Sequence, residues 1–139
     1  MVLTAKQLLL LRLVSMGLSL SEAARRLGVS RQDASATLRR AERRYREALE
    51  TVLLYAAHRG PCVRGERGET VESLAERLIE EADRAGVKLV VGKREAAALL
   101  RGLLGGRASR GVLEDEACAA VEPSLGIPLV VPCPEPVEA

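Results

Sequence analysis

"LGVSRQDASATLRRAERR", residues 27–44, sets a glycine and a serine directly ahead of an arginine-loaded run. Gly28 suits the left-handed end of a helix, and Ser30 with Asp33 three positions on has the spacing of an N-terminal cap. The same spacing occurs twice upstream, at Ser19 and Glu22 before "EAARRL" and at Thr4 and Gln7 before "LLLLRLV". Three caps predict three helices, the second ending at Leu27 and the third opening after Ser30. A turn of about three residues between two such helices is the helix-turn-helix signature. Ala24 and Ala34 are small where the two helices must cross, and Leu27, Val29 and Leu38 fill the wedge behind them. In the first helix Leu8, Leu11 and Val14 form the expected buried stripe, widened by Leu9, Leu10 and Leu13 before the stop at Gly17.

Nothing breaks the third helix until Gly60-Pro61. Ala34, Leu38, Ala41, Tyr45, Ala48, Val52 and Tyr55 alternate steps of four and three, with Leu49 and Leu53 beside them, which is a heptad seam. A helix of this length reaches on the order of 40 Å. Its far half therefore needs a partner, either a second copy of the chain or the C-terminal part of the same one.

"RGPCVRGERGE" reads as a boundary, dividing the chain into residues 1–60 and 61–139. Beyond it, "TVESLAERLIEEADRAG" has the period of a helix, "VKLVV" reads as a short buried strand, and "KREAAALLRGLL" as another helix. "GGRASRG" is rich in turn formers, and "ACAAVEPSLGIPLVVP" reads as two strands around a Pro-Ser-Leu-Gly turn. The order strand, helix, strand, helix, strand, strand predicts a small α+β domain with helices on one sheet face. The fold class of the whole chain is thus α+β, a helical N-terminal domain with a long third helix followed by a small α+β domain.

Composition narrows the function. The 139 residues carry a net charge of +2, with 47% hydrophobic residues, two Tyr, no Trp and no Phe. Scarce aromatics argue against recognition by base stacking, on which single-strand and common RNA modules rely. Residues 1–60 hold 11 Lys and Arg against 5 Asp and Glu, whereas residues 61–139 hold 10 against 14. A basic half joined to an acidic one suits a polyanion-facing module coupled to another purpose. Cys62, Cys118 and Cys133 are odd in number and lack a C-x-x-C pair, so buried thiols are expected rather than a zinc site or a disulfide framework. No signal peptide or apolar span is apparent, so a cytoplasmic protein with no membrane partner is expected.

The arginine-rich helix decides the chemistry. Ala34, Leu38 and Ala41 face inward, which leaves Ser30, Arg31, Gln32, Ser35, Ala36, Arg39, Arg40, Arg43 and Arg44 as the candidate DNA-binding surface. Arg31 and Gln32 are residue types that make paired hydrogen bonds to guanine and adenine edges, short Ser35 and Ala36 admit close approach, and the later arginines suit phosphates. A merely solvated face would need neutralising carboxylates, yet Glu42, Glu47 and Glu50 come only after residue 41. Other candidates are poor. "GVKLVVGK" departs from the phosphate-loop pattern in glycine spacing and in the residue after Lys93. Glu76, Glu80 and Asp83 read as a solvated acidic face, and His58 as a helix-end residue meeting carbonyls. With one His and no nucleophile-base pair, neither an enzyme nor a metal or other cofactor is expected.

"LTAKQLLLLRLVSMGLSLSEAARRLGVSRQDASATLRRAERR" resembles the helix-turn-helix unit of LuxR-type activators and sigma-factor region 4. With "SRQDAS", "RRAERR", the long helix and the acidic part from "PCVRGERGETVESLAERLIEEADRAGVKL", the chain more closely resembles archaeal Tfx-type transcriptional regulators. That resemblance implies a sequence-specific double-stranded-DNA-binding regulator with its recognition helix starting near Arg31. Expected partners are double-stranded DNA and a second copy of the chain, with a small-molecule or anion effector as a further role open to the C-terminal domain. The alternative is an adaptor that uses the same fold to dock on proteins of the transcription machinery.

Overall fold

The computed structural model describes residues 2–137. The elements are α1 (Ala5–Ser15), α2 (Leu20–Leu27), α3 (Arg31–Arg59), β1 (Cys62–Gly65), α4 (Val71–Ala85), α5 (Lys93–Leu104), a 3-10 turn (Gly105–Arg107), β2 (Ala108–Ser109), β3 (Val112–Leu113), β4 (Ala117–Glu122) and β5 (Ile127–Val131). Helices precede a small sheet-and-helix part, so the chain is α+β. Packing divides it between Glu50 and Thr51, inside α3, rather than at the helix break that follows Arg59. The reason is local: Leu53, Ala56 and Ala57 near the end of α3 pack into the second unit's core.

In the first unit, all three expected caps form. The Thr4 hydroxyl accepts from the Gln7 amide while Gln7 Oε1 accepts from the Thr4 amide, at 3.1 and 3.0 Å. Ser19 and Ser30 accept from the amides of Glu22 and Asp33 at 3.2 and 3.0 Å. Each satisfies one of the orphan donors at a helix start. The core is Leu10, Leu13, Ala23, Ala24 and Ala34, with Val14, Leu18, Leu20, Leu27, Val29 and Leu38 packed against it. The α1 stripe therefore differs from the expected one. Gln7, Leu10 and Leu13 are buried, while Leu8 and Leu9 are exposed. Consecutive leucines make the period ambiguous, and the capping box, which turns Gln7 inward, resolves it.

In the second unit, three antiparallel strands lie in the order β1-β4-β5, with Cys62 opposite Ala120 and Cys118 opposite Val131. β4 is buried along nearly its whole length. Ala117, Ala119 and Val121 join the core of α4 and α5, whereas Cys118 and Ala120 join Ala56 and Ala57 of α3. Helices thus cover both sheet faces, not one as the sequence suggests. The side-chain alternation of a strand sends Ala117, Ala119 and Val121 one way and Cys118 and Ala120 the other. Small residues on both sides allow this. A β-carbon on Gly60 would stand 2.3 Å from the Val121 carbonyl oxygen, so only glycine fits where α3 ends against β4.

Two further expectations are corrected. "VKLVV" is not a strand: Val87 and Leu89 pack on the core, but Val90 is exposed and its amide donates to the Gly126 carbonyl. The segment instead runs beside the β4–β5 turn, and "GGRASRG" and the residues after it form the β2–β3 hairpin. The cysteines are not all thiols. Cys118 and Cys133 form a disulfide with Cα atoms 5.1 Å apart, because the β4–β5 register brings the end of β5 beside Cys118. Cys62 stays free, and burial pushes its thiol up, against the smaller opposing effect of Arg64.

One polar cluster ties β1 to α4. Arg77 donates Nε to Glu69 Oε2 and Nη2 to Glu69 Oε1 at 2.9 and 2.7 Å, and also reaches the Arg64 carbonyl at 2.6 Å. The Ser73 hydroxyl donates to the same carboxylate at 2.7 Å. The Arg77 hydrogen bonds hold Glu69 below the usual carboxylate range, against a smaller opposing effect of burial.

Alkylation of unfolded, unreduced protein should label Cys62 alone, and all three cysteines after reduction. Cys133→Ala should cost about 3 kcal/mol in thermal unfolding, the loop-closure value for a bridge spanning 15 residues. Glu69→Gln should cost about 1–2 kcal/mol at neutral pH. A depressed folded-state pKa gives stability above the unfolded value near 4.3 that is lost as pH falls through the folded one. The gap between wild type and Glu69→Gln should accordingly close in acid, as chemical denaturation across pH would show.

Candidate nucleic-acid interface

The surface is built from the rotation of α3 about its own axis. At 3.6 residues per turn, Ala34, Thr37, Leu38 and Ala41 share one arc. Ala34, Thr37 and Ala41 are buried, with Thr37 at 2% exposure, and Leu38 is half-buried against α1 and α2. Their burial fixes the opposite arc as the outward one. Gln32, Arg39, Arg40 and Arg43 are exposed on it, with half-buried Ser35 and Ala36 beside them, while Ser30 and Arg31, at the helix start, are exposed nearer its edges.

The turn that aims this arc has a specific geometry. Gly28 closes α2 with φ of 71°, a left-handed conformation that favours glycine. The Val29 amide then donates to the Ala24 carbonyl at 3.0 Å, folding the chain back so that Val29 joins the core and Ser30 begins α3. Val29, the middle residue of the turn, thereby anchors the entry to α3.

Among the described residues, none of Arg31, Arg39, Arg40 and Arg43 is ion-paired with a carboxylate. Arg39 instead donates to the Ser35 hydroxyl at 2.8 Å and Arg40 to the Thr37 hydroxyl at 3.2 Å. These bonds to neutral partners lay two guanidinium groups along the helix without neutralising them. Glu42 pairs with Arg46 at 3.9 Å, one turn beyond the arc's densest part.

Arg44 is placed differently from its neighbours. Its position on the helix falls beside Thr37 rather than beside Arg39 and Arg43, and it is half-buried. Nη1 donates to the Val2 carbonyl at 3.0 Å and to Gln7 Oε1 at 3.2 Å. Gln7, at 3% exposure, thus accepts from both Thr4 and Arg44, and α1 is bound to α3 through a charged donor. Asp33 also does more than sit at a cap: it accepts from Lys6 at 2.7 Å, a second α1–α3 link. At the other end of the arginine-rich helix, the His58 ring donates to the Leu54 carbonyl at 2.8 Å, which accounts for it locally.

Two cations escaped the sequence reading. Arg25 and Arg26 end α2, are exposed, and line an open polar depression with Glu22. Their signal is the Arg-Arg pair of "EAARRL", which helical periodicity alone marks only as part of a helix. Among the described residues no group of His, Cys, Asp and Glu is arranged to hold a metal ion, and no helix is long and apolar enough to cross a membrane.

No protein-family model matches the chain. A protein of Thermococcus kodakarensis, provisionally named as a transcriptional regulatory protein, is 35% identical over 99 residues, which is 70% of this chain and 66% of that protein. The shared span leaves about a third of the relative uncovered.

Arg44→Ala should destabilise the N-terminal unit by about 1–3 kcal/mol and so lower its melting temperature, because it strips a charge-assisted bond from a buried amide oxygen. Arg43→Ala, one position away and without an ion-pair partner among the described residues, should stay within about 0.5 kcal/mol of wild type. Circular dichroism during thermal unfolding separates the two.

Proposed function

We propose that the chain is a sequence-specific, double-stranded-DNA-binding transcription regulator that inserts the start of α3 into the major groove as the reading helix of a helix-turn-helix. One observation carries this: the exposed surface of α3 from Arg31 to Arg43 holds four arginines without carboxylate partners among the described residues, on a helix whose rotation is fixed by buried Ala34, Thr37 and Ala41. The name carried by the Thermococcus kodakarensis protein supports the same reading. Arg31 and Gln32 are offered to base edges, Ser35 and Ala36 let the backbone approach, and Arg39, Arg40 and Arg43 meet phosphates. Arg25 and Arg26 join them, since the first helix of such a pair crosses the sugar-phosphate backbone. Arg44 acts on α1 rather than on DNA. Two copies would place their α3 helices in successive major grooves, about 34 Å apart on a near-palindromic site. On this reading the chain carries out no covalent chemistry.

Arg39→Ala or Arg43→Ala should weaken binding to all sequences alike and flatten the dependence of log affinity on log salt by about one unit per lost contact. Gln32→Ala should instead change base preference at one position, worth about 1–3 kcal/mol. Binding to selected genomic fragments, measured at two salt concentrations with competitor DNA, distinguishes these effects. Unchanged affinity after replacement of Arg39, Arg40 and Arg43 together would reject the groove assignment.

A further inference from the structure

The acidic half of the chain is interrupted by one basic stretch. Residues 93–111 hold five of the ten Lys and Arg that follow residue 60, and only one of the fourteen Asp and Glu. Three of those cations meet in a cleft. Glu72 of α4 and Lys93, Arg94, Ala97, Ala98 and Arg101 of α5 line an open cavity of about 590 Å³. That volume falls within the roughly 300–1,000 Å³ of small-molecule sites.

The spacing along α5 orders the lining. Arg94, Ala97, Ala98 and Arg101 share one helix face, with the two alanines as an apolar floor between arginines two turns apart. Arg94 makes no ion pair among the described residues. Lys93 pairs with Glu76 at 2.7 Å and Arg101 with Glu72, but every side chain in these two pairs is more than half exposed. Solvent screens such pairs, so they contribute little, and Arg101 can exchange Glu72 for an incoming anion at small loss.

The hairpin between β2 and β3 stands at the Arg101 end. A β-carbon on Gly111 would lie 3.6 Å from Nη2 of Arg101 and 4.0 Å from Oε2 of Glu72. Arg110, next to it at the hairpin tip, has φ of 53°, a left-handed conformation that Asn or Gly adopts with less strain. A fifth cation of the basic stretch is thus held one residue from the cleft wall, in a position that disfavours its residue type.

We propose that this cleft binds a small organic dianion, a dicarboxylate or a phosphorylated carboxylic acid, as the effector of the chain. Arg94 and Arg101 take its charged ends, since guanidinium forks match carboxylate and phosphate alike, and Ala97 and Ala98 meet its hydrocarbon middle. The apolar floor favours such a ligand over a nucleic-acid backbone, which is charged at every step. The role as effector rests on the DNA-binding reading above, whereas the binding itself does not.

Titration calorimetry of the full chain without DNA tests the site, with glutarate, adipate and phosphoglycolate as probes and propionate as the single-charge control. At least one dianion should bind about tenfold or more tighter than propionate. Arg94→Gln and Arg101→Gln should each weaken that binding by a similar factor. Glu72→Gln, which removes the competitor for Arg101, should strengthen it. Ala98→Leu should abolish it without lowering the melting temperature, because it fills the floor from an exposed position. Binding of none of the probes, binding indifferent to Arg94→Gln, or binding weakened by Glu72→Gln would each overturn the site. A loss of DNA affinity on Arg94→Gln with no probe present would also overturn it, marking the cleft as a contact to the duplex backbone. A dianion that binds while DNA affinity stays unchanged would overturn the effector role. Loss of the groove reading by the triple replacement of Arg39, Arg40 and Arg43 would leave the binding site standing.

Discussion

The rotation of α3 about its axis is the constraint from which the candidate surface follows. Ala34, Thr37 and Ala41 are buried, Ala34 in the core shared with α1 and α2, and a helix that buries one arc has no freedom in what it presents on the other. A turn of about 100° would bring Arg39 and Arg43 toward the core and expose alanines. Burying an unpaired guanidinium costs several kcal/mol, far more than small apolar contacts return. The position of every outward arginine is therefore set by residues that never leave the core. The links from α1 act on the same rotation, because Lys6–Asp33 and Gln7–Arg44 hold α3 along one flank of its buried arc, three turns apart.

A core without tryptophan or phenylalanine has to win its contacts by close approach. Alanines at the α2–α3 crossing and along β4 bring backbones together, and the Gly60 carbon approaches the Val121 carbonyl for the same reason. Such packing is exacting: an added methyl group at these points has no cavity to fill and displaces backbone. Small residues also bury little area each, which is where the disulfide between Cys118 and Cys133 contributes, restricting the unfolded chain at the hairpin where α3 ends.

What the sequence reveals is mostly local. The caps at Thr4, Ser19 and Ser30, the glycine turn, and the β4–β5 turn depend on residues three or four positions apart, and all are present. What escaped depends on distant partners. The α1 stripe was ambiguous among consecutive leucines until Gln7 turned inward, and Arg44, 37 residues away, then met its amide. "VKLVV" has the residues of a strand but no neighbour to complete a ladder. The disulfide becomes readable only once the register of β4 and β5 is known, because nothing in the spacing of three cysteines selects one pair. Within the candidate site the exposed arginines were legible because helical periodicity alone separates them from the core. Arg44 was not, since its arc position borders the buried side and its use depends on what lies there.

The uneven distribution of charge along the chain bears on how such a surface could act. Arg46 pairs with Glu42, but among the described residues Arg31, Arg39, Arg40 and Arg43 make no ion pair with a carboxylate, so their attraction for a polyanion is not spent internally. At physiological salt, charges are screened beyond about 8 Å, so attraction at close range comes from the groups that reach the phosphates and not from the net charge of +2. The acidic excess after residue 60 disfavours approach of that part to a polyanion. Attraction of this kind orients the molecule without reading sequence. Selectivity would have to come from the few uncharged or bidentate groups at the start of the arc, Gln32 and Arg31 above all, because phosphate contacts are alike at every step of a duplex. On the proposed reading, a surface with arginines at its exit and Arg31, Gln32 and short side chains at its entry would separate those two tasks along a single helix.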